Sequence, residues 1–435
     1  MELRYLESAQ LDNSKIQQHL SKLRQYHEKL VHVTTHTEYS EAESSINLPF
    51  DQQNISTVME MKAKKTSSQL KYIIDVGIGG SSLGTKAIYD ALYGYTDLLE
   101  PNRFPKIIFV DTNDADQLSH ILKFLTKSII NPEEVLINVI TKSGKTTETL
   151  ANMELIESVV PNFKDRTVIT TMHNSPLWIA AQDAGIATLT VPDKVGGRYS
   201  VFTAVGLFPL ACANVDILGL VEGAMNTRQS CLNPDLESNP ATVSAALLFE
   251  HYGQGKVIND NFFFHPELES LGKWYRQLMG ESIGKEFDMQ GNQINTGITP
   301  TVSIGSTDLH SMGQLYLGGP KNKFFTLIGG AHKHTKVDLP TYMPLDTKVV
   351  PLENKTTQNI MDAIYGGLAA TFKKQQIPFM EIILEDIAEE NLGRFMQFKM
   401  LEMMYLGCLF NVNTFDQPNV ESYKNETKRL LQEQS

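Results

Sequence analysis

The sequence predicts an α/β protein built from two doubly wound, mainly parallel sheets, and three observations lead there. From about residue 70, short apolar runs alternate with longer helix-forming stretches, the rhythm of strand–helix–strand units. The same rhythm starts again after about residue 255. Two strand-to-helix junctions in the first set are rich in Gly, Ser and Thr, residues that let backbone amides face a ligand at the carboxyl edge of such a sheet.

In chain order, residues 1–45 read as a helical N-terminal extension, with Leu20, Leu23 and Leu30 set among charged residues. Residues 46–215 form the first domain. Its strands are expected at 72–78, 107–110, 135–140, 167–171 and 186–191, with helices from Leu83, near 116–125 and from 146 to 160. Residues 216–435 form the second, with strands at 257–258, 301–304, 324–328, 348–351 and 379–384. Helices at 267–280, 308–317, 358–375 and 392–409 alternate with them, the last group ending in a C-terminal helix. The halves meet near residues 210–240, where no Pro/Gly-rich linker marks the join.

Composition narrows the function classes. A hydrophobic share of 41% with 20% charged residues over 435 residues is that of a soluble globular chain. A net charge of −12 argues against nucleic acid or an anionic membrane as the partner. Any small anionic substrate must then be held by a local site. Cys212, Cys231 and Cys408 are scattered and odd in number, as in a reducing compartment. Residues 1–14 lack the apolar core of a signal peptide, and no run approaches membrane-span length, so a cytoplasmic protein is expected.

The first glycine-rich junction runs from Asp75 through Gly77, Gly79, Gly80, Ser81 and Ser82 to Gly84. A dinucleotide fingerprint fails there, because Ser82 stands where the third Gly belongs. Ser81 and Ser82 instead offer hydroxyls, and Gly80 its amide, to an anion. The second junction, Thr141-Lys142-Ser143-Gly144-Lys145-Thr146-Thr147-Glu148-Thr149, gathers five hydroxyls and two lysines at one helix start. A nucleotide P-loop is excluded because Val139 occupies the upstream Gly position. Two such loops at strand ends of one sheet point to a phosphate pocket using Gly80, Ser81, Lys142, Ser143 and Thr146. Taken singly, each loop could equally be an ordinary strand–helix turn or an N-capped helix.

These loops resemble those of the SIS-type phosphosugar domain, and four further segments narrow the likeness. Gly196-Gly197-Arg198-Tyr199-Ser200-Val201 and the segment from Phe415 to Lys424 resemble the two signatures of the glucose-6-phosphate isomerase family. Gly280-Glu281-Ser282-Ile283-Gly284-Lys285 and the segment from Ser306 to Gln314 are similar to its catalytic segments. Six motifs stand in family order from about residue 75 to 424, and the length resembles the compact bacterial type. There are departures: Asn419 replaces a Gly, being the residue next best able to take a left-handed backbone, and Lys145 replaces a Thr.

The resemblance implies two SIS-type domains and reversible interconversion of glucose 6-phosphate and fructose 6-phosphate, an isomerase of glycolysis and gluconeogenesis. The implied unit is a homodimer whose sites are shared, each taking His310 from the neighbouring subunit. The chemistry then assigns roles. Moving a carbonyl between C1 and C2 needs ring opening, a base to carry one proton, and positive charge on the enediolate. Glu281 suits the base, if burial raises its pKa toward neutrality. Arg198 suits the oxyanion, since it stays charged and donates from a planar fork. His310 and Lys424 would open the ring. Gln277, one helical turn before Glu281, and Gln417 would bind sugar hydroxyls.

No cofactor is required. His332-Lys333-His334 with Asp338 lacks a third ligand at a recognised spacing, so no metal is expected. Against this enzyme stands a phosphosugar-sensing module that binds without turnover. Such a module needs the hydroxyl-rich loops but not Glu281, His310 and Lys424 together.

Overall fold

The computed structural model describes residues 1–330, 336–340, 352 and 354–433. The chain starts with a strand, β1 (Glu2–Arg4), where the sequence suggested only helix. The helix Asn13–Val33 follows, buried along Ile16, Leu20, Leu23, Leu30 and Val33, the expected 3–4-residue apolar spacing.

The first sheet comprises β2 (Tyr72–Val76), β3 (Lys106–Val110), β4 (Val135–Ile140), β5 (Thr167–Thr171) and β6 (Ala187–Thr190). They run parallel in the order β3-β2-β4-β5-β6. All five stand where apolar runs predicted them. The order reverses direction at β2, whose neighbours are β3 and β4, so the carboxyl ends of β2 and β4 open side by side. Across the sheet interior runs a polar row. Asn138 of β4 donates to Asp75 of β2 at 2.7 Å and accepts from Thr170 of β5 at 3.5 Å, all three fully buried.

The second sheet contains β7 (Ile258–Phe263), then beyond a small hairpin of β8 (Lys285–Phe287) and β9 (Gln293–Thr296), β10 (Thr299–Ile304), β11 (Lys323–Gly329) and β12 (Phe379–Ile383). Its order is β1-β12-β11-β7-β10, parallel except that β1 pairs antiparallel with β12. The N-terminal residues therefore complete the sheet of the C-terminal half.

Central β7 escaped all but its first residue in the sequence reading, because Asn259-Asp260-Asn261 interrupt its apolar run. The fold satisfies most of their polar atoms internally, leaving Asp260 Oδ1 and Asn261 Oδ1 without a partner among the described residues. Asn259 donates to the Phe324 carbonyl and Thr326 hydroxyl at 3.1 Å each, and Asp260 accepts from Thr301, Ser303 and Tyr316 at 2.6, 3.1 and 3.0 Å. The expected strand 348–351 lies outside the described residues. The expected helix 308–317 is two short ones, Thr307–Ser311 and Gly313–Gly318.

The joining segment is helical throughout: Ala204–Cys212, Ile217–Cys231 and Pro240–Gly253. With Leu83–Leu92, Glu269–Ile283 and Glu389–Phe410 these helices fill the space between the sheets as one continuous core. Glu389–Phe410 is buried nearly all round, including the ion pair Lys399–Glu402 at 2.7 Å with both side chains fully buried. Separate apolar clusters cover the outer face of each sheet.

Candidate active site

The loop after β2 turns through Gly79, at φ +60°, into the helix Leu83–Leu92. Gly80 has no room for a side chain: a Cβ there would lie 2.3 Å from the Gly197 carbonyl carbon. That close approach seats the turn Gly197–Tyr199, and with it Arg198, directly against the glycine loop. A Cβ on Gly79 would come within 3.2 Å of the Gln277 amide nitrogen, so the helix Glu269–Ile283 borders the same loop.

Arg198 is fully buried and every nitrogen is engaged. Nε donates to Ser282 Oγ at 2.9 Å, and Nη2 to the carbonyls of Thr414 and Asp416 at 2.6 and 3.1 Å. Nη1 donates to Glu281 Oε2 at 3.0 Å and to Gln417 Oε1 at 2.9 Å. Gln277 Nε2 donates to the other Glu281 oxygen at 3.1 Å, while its own buried Oε1 has no partner. Arg198, Glu281, Gln277, Gln417 and Gly80 thus converge from four stretches of chain. The guanidinium cannot swing, since three of its five donors are held by Ser282 and main-chain carbonyls.

Glu281 lies in the last turn of its helix with its side chain 33% exposed. It is therefore not the desolvated carboxylate that the sequence suggested; it faces a guanidinium on one side and open space on the other.

The loop after β4 stands beside the glycine loop, for a Cβ on Gly77 would lie 2.9 Å from Ser81 Cβ and 3.3 Å from the Ile140 carbonyl. Gly144 turns it at φ +66°, packed on Ser175. Thr141 and Thr146 share a 2.8 Å hydrogen bond between hydroxyls. Ser143 is exposed, its Oγ accepting only from the Lys145 amide at 3.3 Å. The helix Thr147–Glu157 opens without a side-chain cap from Thr146, unlike the helices capped by Asp12, Asp51, Asp114 or Ser175. Its first amides are thus left for another acceptor. Lys142 turns aside to donate to the Asp193 carbonyl at 2.5 Å, and burial holds its amine below the usual lysine range. Lys145 is exposed, on the solvent side of the loop.

Two expected residues are not brought to this chamber by the single chain. His310 is exposed on the short helix Thr307–Ser311, with no hydrogen bond or ion pair among the described residues. Lys424 pairs with Glu421 on its own helix, Val420–Glu433, at 2.8 Å. Asn419 does not take the left-handed backbone; its side chain donates to Glu286 Oε2 at 2.7 Å, bridging the C-terminal segment to the hairpin. His332, Lys333 and His334 lie outside the described residues, and among the described residues no group of three His, Cys, Asp or Glu could hold a metal.

Sequence reasoning also passed over Lys285, a buried amine that donates to the Asp416 carbonyl and carboxylate at 2.5 and 2.9 Å, and Ser282, which orients Arg198. Both sit inside a quoted motif, but their partners are over 80 residues away.

Comparisons with known proteins bear on this arrangement. The family model described as Phosphoglucose isomerase matches residues 23–341. A glucose-6-phosphate isomerase of Carboxydothermus hydrogenoformans is 31% identical, with 88% of this chain and 84% of that one aligned. One from Methanocaldococcus jannaschii is 32% identical over 85% and 86%. Among solved structures, a hypothetical protein of Thermus thermophilus superposes with TM-score 0.87 at 26% identity over 99% of both chains. A glucose-6-phosphate isomerase of Chlamydia trachomatis shares the fold, with TM-score 0.77 at 19% identity over 97% and 86%. Two parallel sheets packed about a helical core, a buried guanidinium set against a carboxylate beside the glycine loop, a family match across most of the length and relatives of nearly the same extent lead to one conclusion: this chain belongs to the phosphoglucose isomerase family.

Proposed function

We infer that the chamber around Arg198 and Glu281 is where this isomerase interconverts glucose 6-phosphate and fructose 6-phosphate. The observation that carries the reading is the carboxylate held 3.0 Å from an immobilised guanidinium, beside an uncapped, hydroxyl-rich helix start.

The phosphate would sit on the two loops, against Ser81, Ser143, Thr146 and the free amides of the Thr147–Glu157 helix. Lys142 would add charge after exchanging its carbonyl partner for the anion. The open-chain sugar then extends toward Glu281. The carboxylate takes the C2 proton, the C2–H electrons form a C1–C2 double bond, and the former carbonyl oxygen becomes the enediolate oxygen beside Arg198 Nη1. Return of the proton to C1, with transfer of the O2 proton to O1 as C2=O forms, gives the ketose. Because Arg198 is already fixed, it stabilises that oxygen without reorganising. Gln277 and Gln417 would hold hydroxyls and steer the carboxylate.

Ring opening needs groups that one chain leaves outside. A homodimer in which His310 reaches the neighbouring chamber supplies one of them, and Lys424 would join by movement or packing of its helix. Exposed apolar side chains favour such a dimer: Phe287 and Met289 on the hairpin, Met312 and Leu315 beside His310, and Tyr423, Leu430 and Leu431 on a helix with no buried residue. The chain would act in the cytoplasm as two SIS-type domains, 46–215 and 216–435; no described helix is long and apolar enough to cross a membrane.

Equilibration with fructose 6-phosphate in deuterated water tests the reading. Deuterium entering C2 of the aldose is expected, and binding without exchange would assign the chamber to sensing alone.

A further inference from the structure

We propose that Lys285 is a positioning residue of this reaction, clamping the 414–417 loop so that Arg198 and Gln417 face Glu281 in one fixed arrangement. The inference rests on the reading of Glu281 and Arg198 given above and adds a residue to it.

Lys285 follows the helix that carries Glu281, four residues on, and begins β8. Its side chain is 5% exposed, deep burial for an amine whose ion-pair partner, the Asp416 carboxylate, is half-exposed. A lysine placed only to pair with a surface aspartate would reach outward along its stem. This one instead points its ammonium at a main-chain carbonyl. The Asp416 oxygen receives Lys285 Nζ at 2.5 Å and Arg198 Nη2 at 3.1 Å, so two cations converge on one acceptor.

Like charges so placed repel, and burial adds to the cost; the Asp416 carboxylate at 2.9 Å offsets part of it. The arrangement persists because the carbonyl is the hinge of the site. Thr414 on one side of it fills Arg198 Nη2, and Gln417 on the other meets Nη1. Asn413 closes the turn by donating to the second Asp416 oxygen at 2.9 Å and accepting from the Phe415 amide at 3.0 Å. Without Lys285 the carbonyl has one donor instead of two, the loop loses its anchor to β8, and Gln417 is free to leave Nη1. Lys285 also brings a second positive charge to the Arg198–Glu281 pair, with Asp416 as the one opposing carboxylate on the loop.

The test compares purified Lys285→Met and Lys285→Arg with wild type and with Glu281→Gln, using steady-state kinetics from pH 5 to 9 and inhibition by inorganic phosphate. Lys285→Met should lose about ten- to a hundredfold in kcat, with phosphate inhibition unchanged because the cradle lies on other loops. Its acid limb should move to higher pH by a few tenths of a unit, since a cation near the carboxylate is gone. Lys285→Arg should restore the limb and part of kcat. Should Lys285→Met not fold, Asp416→Asn decides: it keeps the carbonyl, removes the half-exposed anion and should move the acid limb to lower pH. Wild-type kcat and an unmoved limb in Lys285→Met overturn the proposal, as does an unmoved limb in Asp416→Asn. An active Glu281→Gln would instead overturn the site reading, whatever the Lys285 variants do.

Discussion

Asp75→Asn should stabilise this protein more at pH 7 than at pH 5. Asp75 lies in the middle of β2, fully buried, with one oxygen bonded to Asn138 at 2.7 Å and the other without a partner. Burial raises its pKa from 3.8 to about 8, the Asn138 bond lowering and nearby Asp111 raising it further in smaller measure. The folded protein therefore holds the proton at neutral pH, while the unfolded chain releases it. A carboxyl raised on folding favours the native state only while both states are protonated, below about pH 4. That support is lost progressively as pH rises to about 8.

At 1.36 kcal/mol per unit, the loss at pH 7 is about 4 kcal/mol relative to pH below 4, and the change between pH 5 and 7 is about 3 kcal/mol. The asparagine substitution removes the titration. Its amide brings a donor to the unpartnered side, costing about 1–3 kcal/mol at every pH, which cancels from the difference between the two pH values. Urea unfolding of wild type and variant at pH 5 and pH 7, at one protein concentration, gives the quantity directly. The variant-minus-wild-type difference should grow by about 3 kcal/mol toward pH 7. A difference that stays constant would refute the reasoning, because every other titrating group is common to both proteins.

Three further outcomes test the site. Glu281→Gln should lower turnover by at least about a hundredfold with binding largely kept; near-normal turnover of the purified variant would move the base elsewhere. Ser143→Ala combined with Thr146→Ala should weaken substrate binding and inorganic-phosphate inhibition together, by about tenfold or more. A change in one without the other would remove the cradle from these residues. Refolding Glu281→Gln together with His310→Ala should recover about a quarter of wild-type activity, since half the random dimers are mixed and each holds one intact composite site. A mixture as inactive as its parents, with mixed dimers confirmed by mass, would exclude a shared site.

The first sheet was legible because its inner strands β2, β4 and β5 are buried almost throughout, β4 along its whole length as an unbroken run. Central β7 was not, because its middle carries Asn259, Asp260 and Asn261, and the partners of Asn259 on β11 and of Asp260 on β10 are visible only once the chain is folded. Two of the three helices between residues 204 and 253, Ala204–Cys212 and Pro240–Gly253, were hidden for the opposite reason. They are apolar on most sides and lack the amphipathic period that marks a surface helix. At the site, Arg198, Glu281, Gln277 and Gln417 are joined by hydrogen bonds. Burial of Glu281 did not follow, since the chamber is open on that side. Motif order alone did not reveal that Lys424 pairs with Glu421 on its own helix, because a motif gives the order of segments along the chain and not where they pack. Asn419 shows the limit of reading a departure by residue type: its amide bonds across to Glu286, a use that backbone preference does not predict.

The pairing of β1 with β12 has a consequence for how the chain is made. Glu2–Arg4 is made more than 370 residues ahead of its partner Phe379–Ile383. The first sheet can close as soon as β6 has emerged, with the N-terminal segment still waiting beside it. The second sheet gains this outer edge only once β12 has been made, by capture of residues translated well before it. Segments made far apart in time are thus fastened together by one three-residue ladder, Glu2 with Ile383, Leu3 with Ile382 and Arg4 with Glu381. A polypeptide fused ahead of Met1 would have to leave that ladder free, since Met1 itself reaches Glu385 across the end of the sheet at 3.5 Å.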